Sequence, residues 1–114
     1  MTIKISVVIP VFNEAEAITT LIKKIDNVLS KNYQDGFEVL IVDDGSTDNI
    51  TEVLTKEKTI ASWLKIISLA RNYGQSTALQ AGFDFSTGNI IVTMDGDLQN
   101  DPEDIPKLIS LIQS

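Results

Sequence analysis

Apolar positions along the chain switch between two periods. "ISVVIPV" (5–11) is short, β-branched and apolar on both faces, which suits a strand covered on both sides in a parallel sheet. The next segment, "NEAEAITTLIKKIDNVLS", places Ile18, Leu21, Ile22, Ile25, Val28 and Leu29 on one helical face. "FEVLIVDD" is a second buried strand, "DNITEVLTKE" a weaker helix and "LKIISLA" a third strand. "GQSTALQAGFDFS" predicts a helix ending near Gly88, and its small residues Ala78, Ala81 and Gly82 allow close packing on a sheet. "NIIVTMD" is a fourth strand, and "DPEDIPKLISLIQ" closes with a helix whose apolar positions are Ile105, Leu108, Ile109 and Ile112.

The order is βαβαβαβα, with no repeat or linker. It predicts an α/β domain over residues 1–114: a Rossmann-like parallel sheet, strand order 3-2-1-4, with helices on both faces. Ligands of such sheets bind beyond the carboxyl ends of the strands. The polar segments "PVFNE", "DDGSTD", "ARNYG" and "DGDLQ" each follow a strand and therefore meet at that edge.

Composition narrows the partner. The net charge of −7 over 114 residues argues against nucleic acid, which needs a basic surface. With no cysteine, neither a disulfide framework nor a thiolate metal site is available. The first residues do not form a signal peptide, and no run approaches the ~20 apolar residues of a membrane span. The cysteine-free composition fixes the compartment no further than being consistent with a reducing one; the expectation for this chain is the cytoplasm.

Carboxylates crowd "VTMDGDLQNDPED". Asp95 and Asp97, two apart at a strand end with Gly96 between them, can turn toward one point. Like charges held close favour a cation, and hard oxygen donors select Mg²⁺ or Mn²⁺. Gln99 could add a carbonyl oxygen. Asp101, Glu103 and Asp104 instead suit a helix start, with Asp101 as cap and Pro102 in the first turn. In "VDDGSTD", Asp43 and Asp44 could accept from a base or ribose or lie near the metal, and the spacing equally permits a turn. Ser46, Asp48 or Asn49 could cap the next helix. Asn13 with Glu16 is a capping-box pattern. Gly74 could let backbone N–H groups approach a phosphate, and Arg71 could pair with a diphosphate or with the acidic loops. Together these features point to a nucleoside diphosphate and a divalent cation; neither a dinucleotide nor a P-loop glycine motif is present.

"VVIPVFNE", "VDDGSTD", "ARNYGQSTALQAGF" and "TGNIIVTMDGDLQNDPEDIP" resemble, in order and spacing, the N-terminal half of the family 2 inverting glycosyltransferases of GT-A fold. The likeness is nearest to the polyprenyl-phosphate branch, the dolichol- and undecaprenyl-phosphate sugar transferases, and spans essentially the whole chain. It implies that Pro10, Phe12, Glu14 and Asp43 contact the nucleobase and ribose and that Arg71 lies near the diphosphate. It makes Asp95 and Asp97 the metal-binding DxD pair, with Gln99 a further ligand and Asp97 the catalytic member; Asp44 joins the substrate-binding set. Gly96 departs from the alanine common in that branch. The implied donor is a UDP- or GDP-linked sugar and the implied acceptor a polyprenyl phosphate. Family members continue into an acceptor-binding half, often followed by membrane helices. The chain is therefore expected to be a fragment of a membrane-associated enzyme, inactive alone, and to form a homodimer through apolar surface left uncovered on its fourth strand and last helix. A non-catalytic nucleotide-binding fragment is the alternative. A receiver domain shares the length and an acidic pair, but would carry that pair after strand one, where "PVFNE" stands.

Overall fold

The computed structural model describes residues 4–33, 36–95 and 101–113. The elements are β1 (Ile5–Val11), α1 (Ala15–Asn32), β2 (Phe37–Asp43), α2 (Ile50–Ile60), β3 (Leu64–Ser68), α3 (Gln75–Phe85), β4 (Ile90–Thr93) and α4 (Asp104–Gln113). The four strands form one sheet in the order β3-β2-β1-β4, and every pairing is parallel, as the alternating pattern predicts. β1 lies at the centre because its residues are the most completely apolar; it pairs Ser6 with Glu38 on one side and with Ile91 on the other.

The strands alternate their side chains between two layers. On one face Ile5, Val7, Ile9, Val39, Ile41 and Val92 pack against Ile18, Leu21 and Ile25 of α1, Leu54 of α2, and Ile105 and Ile109 of α4. The other face is thinner. Val8, Leu40 and Val42 meet Ala78 of α3, with Leu79 and Ala81 beside them. α3 settles very close there: a Cβ on Gly82 would lie 2.3 Å from Cγ1 of Val8. The small-residue stripe read from the sequence thus sets the height of α3 above the sheet.

The start of α1 departs from the sequence reading, whereas the start of α2 takes one of the caps the sequence offered, Asp48. Asn13 does not cap α1; it adopts a left-handed φ of 55°, tolerated by asparagine, and its Oδ1 accepts from the N–H groups of Thr47 (2.8 Å) and Asp48 (3.3 Å). Asp48 supplies both caps. Its Oδ2 accepts from the Ala15 N–H at the start of α1 (3.0 Å), and its Oδ1 from the Ile50 N–H at the start of α2 (3.2 Å). A capping box is local in sequence, whereas here the better-placed acceptor comes from the neighbouring loop. The Asp101 reading holds in its essentials: Oδ1 accepts from the Glu103 N–H at 3.0 Å in the turn that opens α4, although the helix begins at Asp104.

Candidate functional site

The parallel sheet sends the β1–α1, β2–α2 and β3–α3 connections and the end of β4 to one edge. There they enclose a cavity of about 320 Å³ lined by Pro10, Val11, Phe12, Glu14, Asp44, Asn72, Gly74, Gln75 and Asp95. Six positions singled out in the sequence, Pro10, Phe12, Glu14, Asp44, Gly74 and Asp95, therefore meet at one wall. Pro10 and Val11 leave β1 and bring an apolar floor; Phe12 is 44% exposed, so its ring is open to a ligand. Asp95 is half-buried just beyond β4, where the Met94 N–H donating to the Val8 carbonyl (3.1 Å) carries the β1–β4 ladder one step further.

Asp44 organises the third loop. Its carboxylate accepts from the Tyr73 N–H (2.8 Å), the Gly74 N–H (3.0 Å) and the Asn72 side-chain amide (3.2 Å). This corrects the expectation for Gly74: the N–H that would approach a phosphate is already held by a carboxylate of the protein. The φ of 103° at Gly74 is what turns that N–H inward, a conformation glycine adopts without a Cβ penalty. Gly45, with φ 73°, brings the same loop into contact from below; a Cβ there would lie 2.3 Å from the backbone of both Arg71 and Asn72.

Asp43 and Arg71 stand apart from the cavity wall. Asp43 is buried at the end of β2, and its Oδ1 accepts from the Ser46 N–H at 3.0 Å, closing the turn that the sequence allowed as one of two readings. Ser46 Oγ in turn accepts from the Asn13 N–H at 2.9 Å, so the first two loops are clasped together. Arg71 is exposed and lies over the Tyr73 ring, its guanidinium carbon 5.1 Å from the centroid.

Asp97 and Gln99 lie outside the described residues. Among the described residues no three carboxylates converge as a metal-binding group. Glu14, Asp44 and Asp95 line the cavity together, and the Asp44 carboxylate is held by three N–H donors of the protein.

Asn72 and Gln75 line the cavity without having been singled out, because nothing in "ARNYGQ" shows which side chains of a loop turn inward. Glu38 was also passed over. It is 2% exposed in the middle of the sheet, at the edge opposite the cavity. Its Oε2 accepts from Ser6 Oγ (2.6 Å), the Thr87 N–H (2.7 Å) and Thr87 Oγ1 (3.1 Å), while Oε1 faces the ammonium groups of Lys65 and Lys4. Burial alone would raise its pKa; the hydrogen bonds from Lys65, Ser6 and Thr87 outweigh that and hold it at about 2. A lone glutamate inside an otherwise apolar strand was the available signal.

Residues 6–114 match the family described as Glycosyl transferase family 2. The chain is 44% identical over 111 residues to undecaprenyl-phosphate 4-deoxy-4-formamido-L-arabinose transferase of Yersinia pestis (strain Pestoides F), covering 96% of this chain and 34% of that protein. It is 40% identical over 116 residues to dodecaprenyl-phosphate galacturonate synthase of Rhizobium johnstonii, covering 98% and 33%. Among solved structures it resembles the mannosyltransferase PcManGT from Pyrobaculum calidifontis in complex with GDP-Man and Mn²⁺. That likeness has a TM-score of 0.76 and 27% identity, over 91% of this chain and 30% of that one. The chain thus spans about a third of the length of the curated relatives it matches.

Proposed function

The chain belongs to glycosyl transferase family 2, and on that premise we propose that residues 1–114 form the donor-binding part of a metal-dependent, inverting sugar transferase acting on a polyprenyl phosphate. The observation that carries this reading is the cavity at the carboxyl edge of the sheet, where Pro10, Phe12, Glu14, Asp44 and Asp95 converge. An apolar floor with an exposed ring beside carboxylates suits a nucleobase and ribose at one end and a cation-bridged diphosphate at the other. The relatives named for undecaprenyl- and dodecaprenyl-phosphate products support the acceptor class, and the neighbour holding GDP-Man and Mn²⁺ supports the donor class and the metal.

Pro10 and Phe12 would flank the base, with Glu14 and Asp43 accepting from base or ribose. Asp44 holds the loop bearing Arg71, whose guanidinium can swing from Tyr73 onto the diphosphate. Asp95, Asp97 and Gln99 would hold Mg²⁺ or Mn²⁺, which when bound offsets the charge growing on the departing nucleoside diphosphate. The acceptor attacks from the opposite face of the sugar and inverts the anomeric carbon. A lipid phosphate, largely dianionic at pH 7 with a second pKa of ~6, needs no strong general base.

In this reading the acceptor-binding part lies in the remaining two-thirds of the enzyme, which is membrane-associated with this domain on the cytoplasmic side. Among the described residues no helix is long and apolar enough to cross a membrane. Ile91 on β4 and Leu108 and Leu111 on α4 are exposed, and we expect the isolated chain to pair through them as a homodimer, measurable by light scattering.

Calorimetry with UDP and GDP, each with Mn²⁺ and with EDTA, tests the donor site. Metal-enhanced binding of one of them is expected; binding of neither to the folded chain refutes the reading.

A further inference from the structure

The apolar pattern of β4 leaves its register underdetermined. Ile90, Val92 and Met94 face the larger core, and Ile91 and Thr93 the other side. A slip of one residue would exchange the faces, but a slip of two would keep apolar side chains in place. β4 has four residues and pairs with β1 alone among the described strands, so its own ladder resists such a slip weakly. A two-residue slip would carry Asp95 about 7 Å along the strand and out of the cavity wall.

What opposes the slip lies at the far end of the sheet. The Thr87 N–H and hydroxyl donate to Glu38 Oε2, and the Gly88 N–H donates to Ser6 Oγ at 2.8 Å, which itself donates to the same Oε2. The Asn89 N–H donates to the Lys4 carbonyl at 2.8 Å. The approach at Gly88 is too close for any other residue, since a Cβ would lie 2.5 Å from Ser6 Oγ and 2.8 Å from the Ser6 nitrogen. The Thr87 hydroxyl and the missing Cβ of Gly88 belong to those residues alone, so a strand shifted by two loses the one and brings a side chain into Ser6 at the other. We propose that Glu38, through Ser6, Thr87 and Gly88, is a positioning residue that sets the register of β4 on β1. Given the nucleotide-sugar reading above, it thereby places the Asp95 carboxylate in the donor site, four residues beyond the Ile91 that lies level with Ser6 and Glu38, or about 13 Å along the strand.

The two carboxylate oxygens divide the work, which makes the role separable from stability. Oε2 carries the bonds to Ser6 and Thr87, and Oε1 faces the lysines. Glu38→Gln can keep its oxygen at the Oε2 position and lose only the charged side. Glu38→Ala loses both. The register is read by cross-strand NMR contacts between Val8 and Met94, and the site by Mn²⁺-dependent affinity for UDP and GDP. Glu38→Gln is expected to keep both despite its lower stability. Folded Glu38→Ala is expected to lose the Val8–Met94 contacts or show doubled signals. It should also bind at least tenfold more weakly with Mn²⁺, with affinity in EDTA unchanged. If Glu38→Ala does not fold, Ser6→Ala, which removes one hydroxyl of the same set, is expected to show the same pattern in smaller measure. Intact Val8–Met94 contacts in folded Glu38→Ala, or in Ser6→Ala where the former does not fold, overturn the proposal. If the unmutated chain binds neither nucleotide, the donor reading fails and the NMR contacts still decide the register.

Discussion

Lowering the pH should remove a specific share of this domain's stability, and Glu38 is where that share resides. Its carboxyl falls from an ordinary 4.5 to about 2 in the folded chain because Lys65, Ser6 and Thr87 hydrogen-bond the ionised form strongly enough to outweigh burial. At about 1.4 kcal/mol per pKa unit, ionised Glu38 contributes about 3 kcal/mol. That is a large fraction of the 5–15 kcal/mol expected of a small domain. The folded value is depressed, so the contribution is complete above pH 4.5 and disappears as pH falls toward 2. Other carboxylates also titrate in this range, so the test is a difference. Urea unfolding of the unmutated chain and Glu38→Gln is compared from pH 7 to pH 2. Trp63 is the only tryptophan, with its ring centroid 5.3 Å from that of Phe37, and serves as the fluorescence probe. At pH 7 the variant should be about 3 kcal/mol less stable. The gap should narrow steadily below pH 4.5 and close near pH 2. A gap under about 0.5 kcal/mol at pH 7, the scale of an ordinary surface substitution, would refute the reasoning. So would a gap that persists unchanged at pH 2.

Gly45→Ala should destabilise the chain by about 2–4 kcal/mol in urea unfolding, because a left-handed residue acquires a Cβ that collides with the Arg71–Asn72 backbone; it should also weaken nucleotide binding by displacing that loop. In the full-length enzyme Asp97→Asn should abolish most sugar transfer with the melting curve unchanged. Asp104→Asn, in the first turn of α4 with only a 3.9 Å exposed contact to Lys107, should leave activity intact and lower stability by no more than about 1 kcal/mol. Equal activity losses at the two positions would count against dividing the acidic cluster in this way. The 114-residue chain alone should show no transfer from a nucleotide-sugar to a polyprenyl phosphate in a radiolabel assay, since losing acceptor positioning forfeits ~7–11 kcal/mol of barrier lowering.

The elements and their order were legible because each rests on local periodicity. Ile18 through Leu29 trace one helical face whatever surrounds them, and a β-branched run such as "ISVVIPV" has few other stable uses. Parallel pairing and strand order followed from the right-handed crossover rule, and with them the edge where Pro10, Phe12, Glu14, Asp44 and Asp95 would gather. Partner choice among polar groups was not legible, because a hydrogen bond goes to the nearest well-aimed acceptor in space. Asn13 turned from its own helix to Thr47 and Asp48, and Asp48, a candidate cap for α2 alone, capped α1 as well. Gly74 gave its N–H to Asp44, thirty residues earlier in the chain. Glu38 reads in one dimension as a blemish in an apolar strand. Only when β1, β2 and β3 lie side by side do Ser6, Lys65 and the Thr87 loop reach its carboxylate. Sequence alone determined which segments could fold and where their ends would meet; tertiary packing decided which polar group answers which, since that depends on distances between strands that no local pattern encodes.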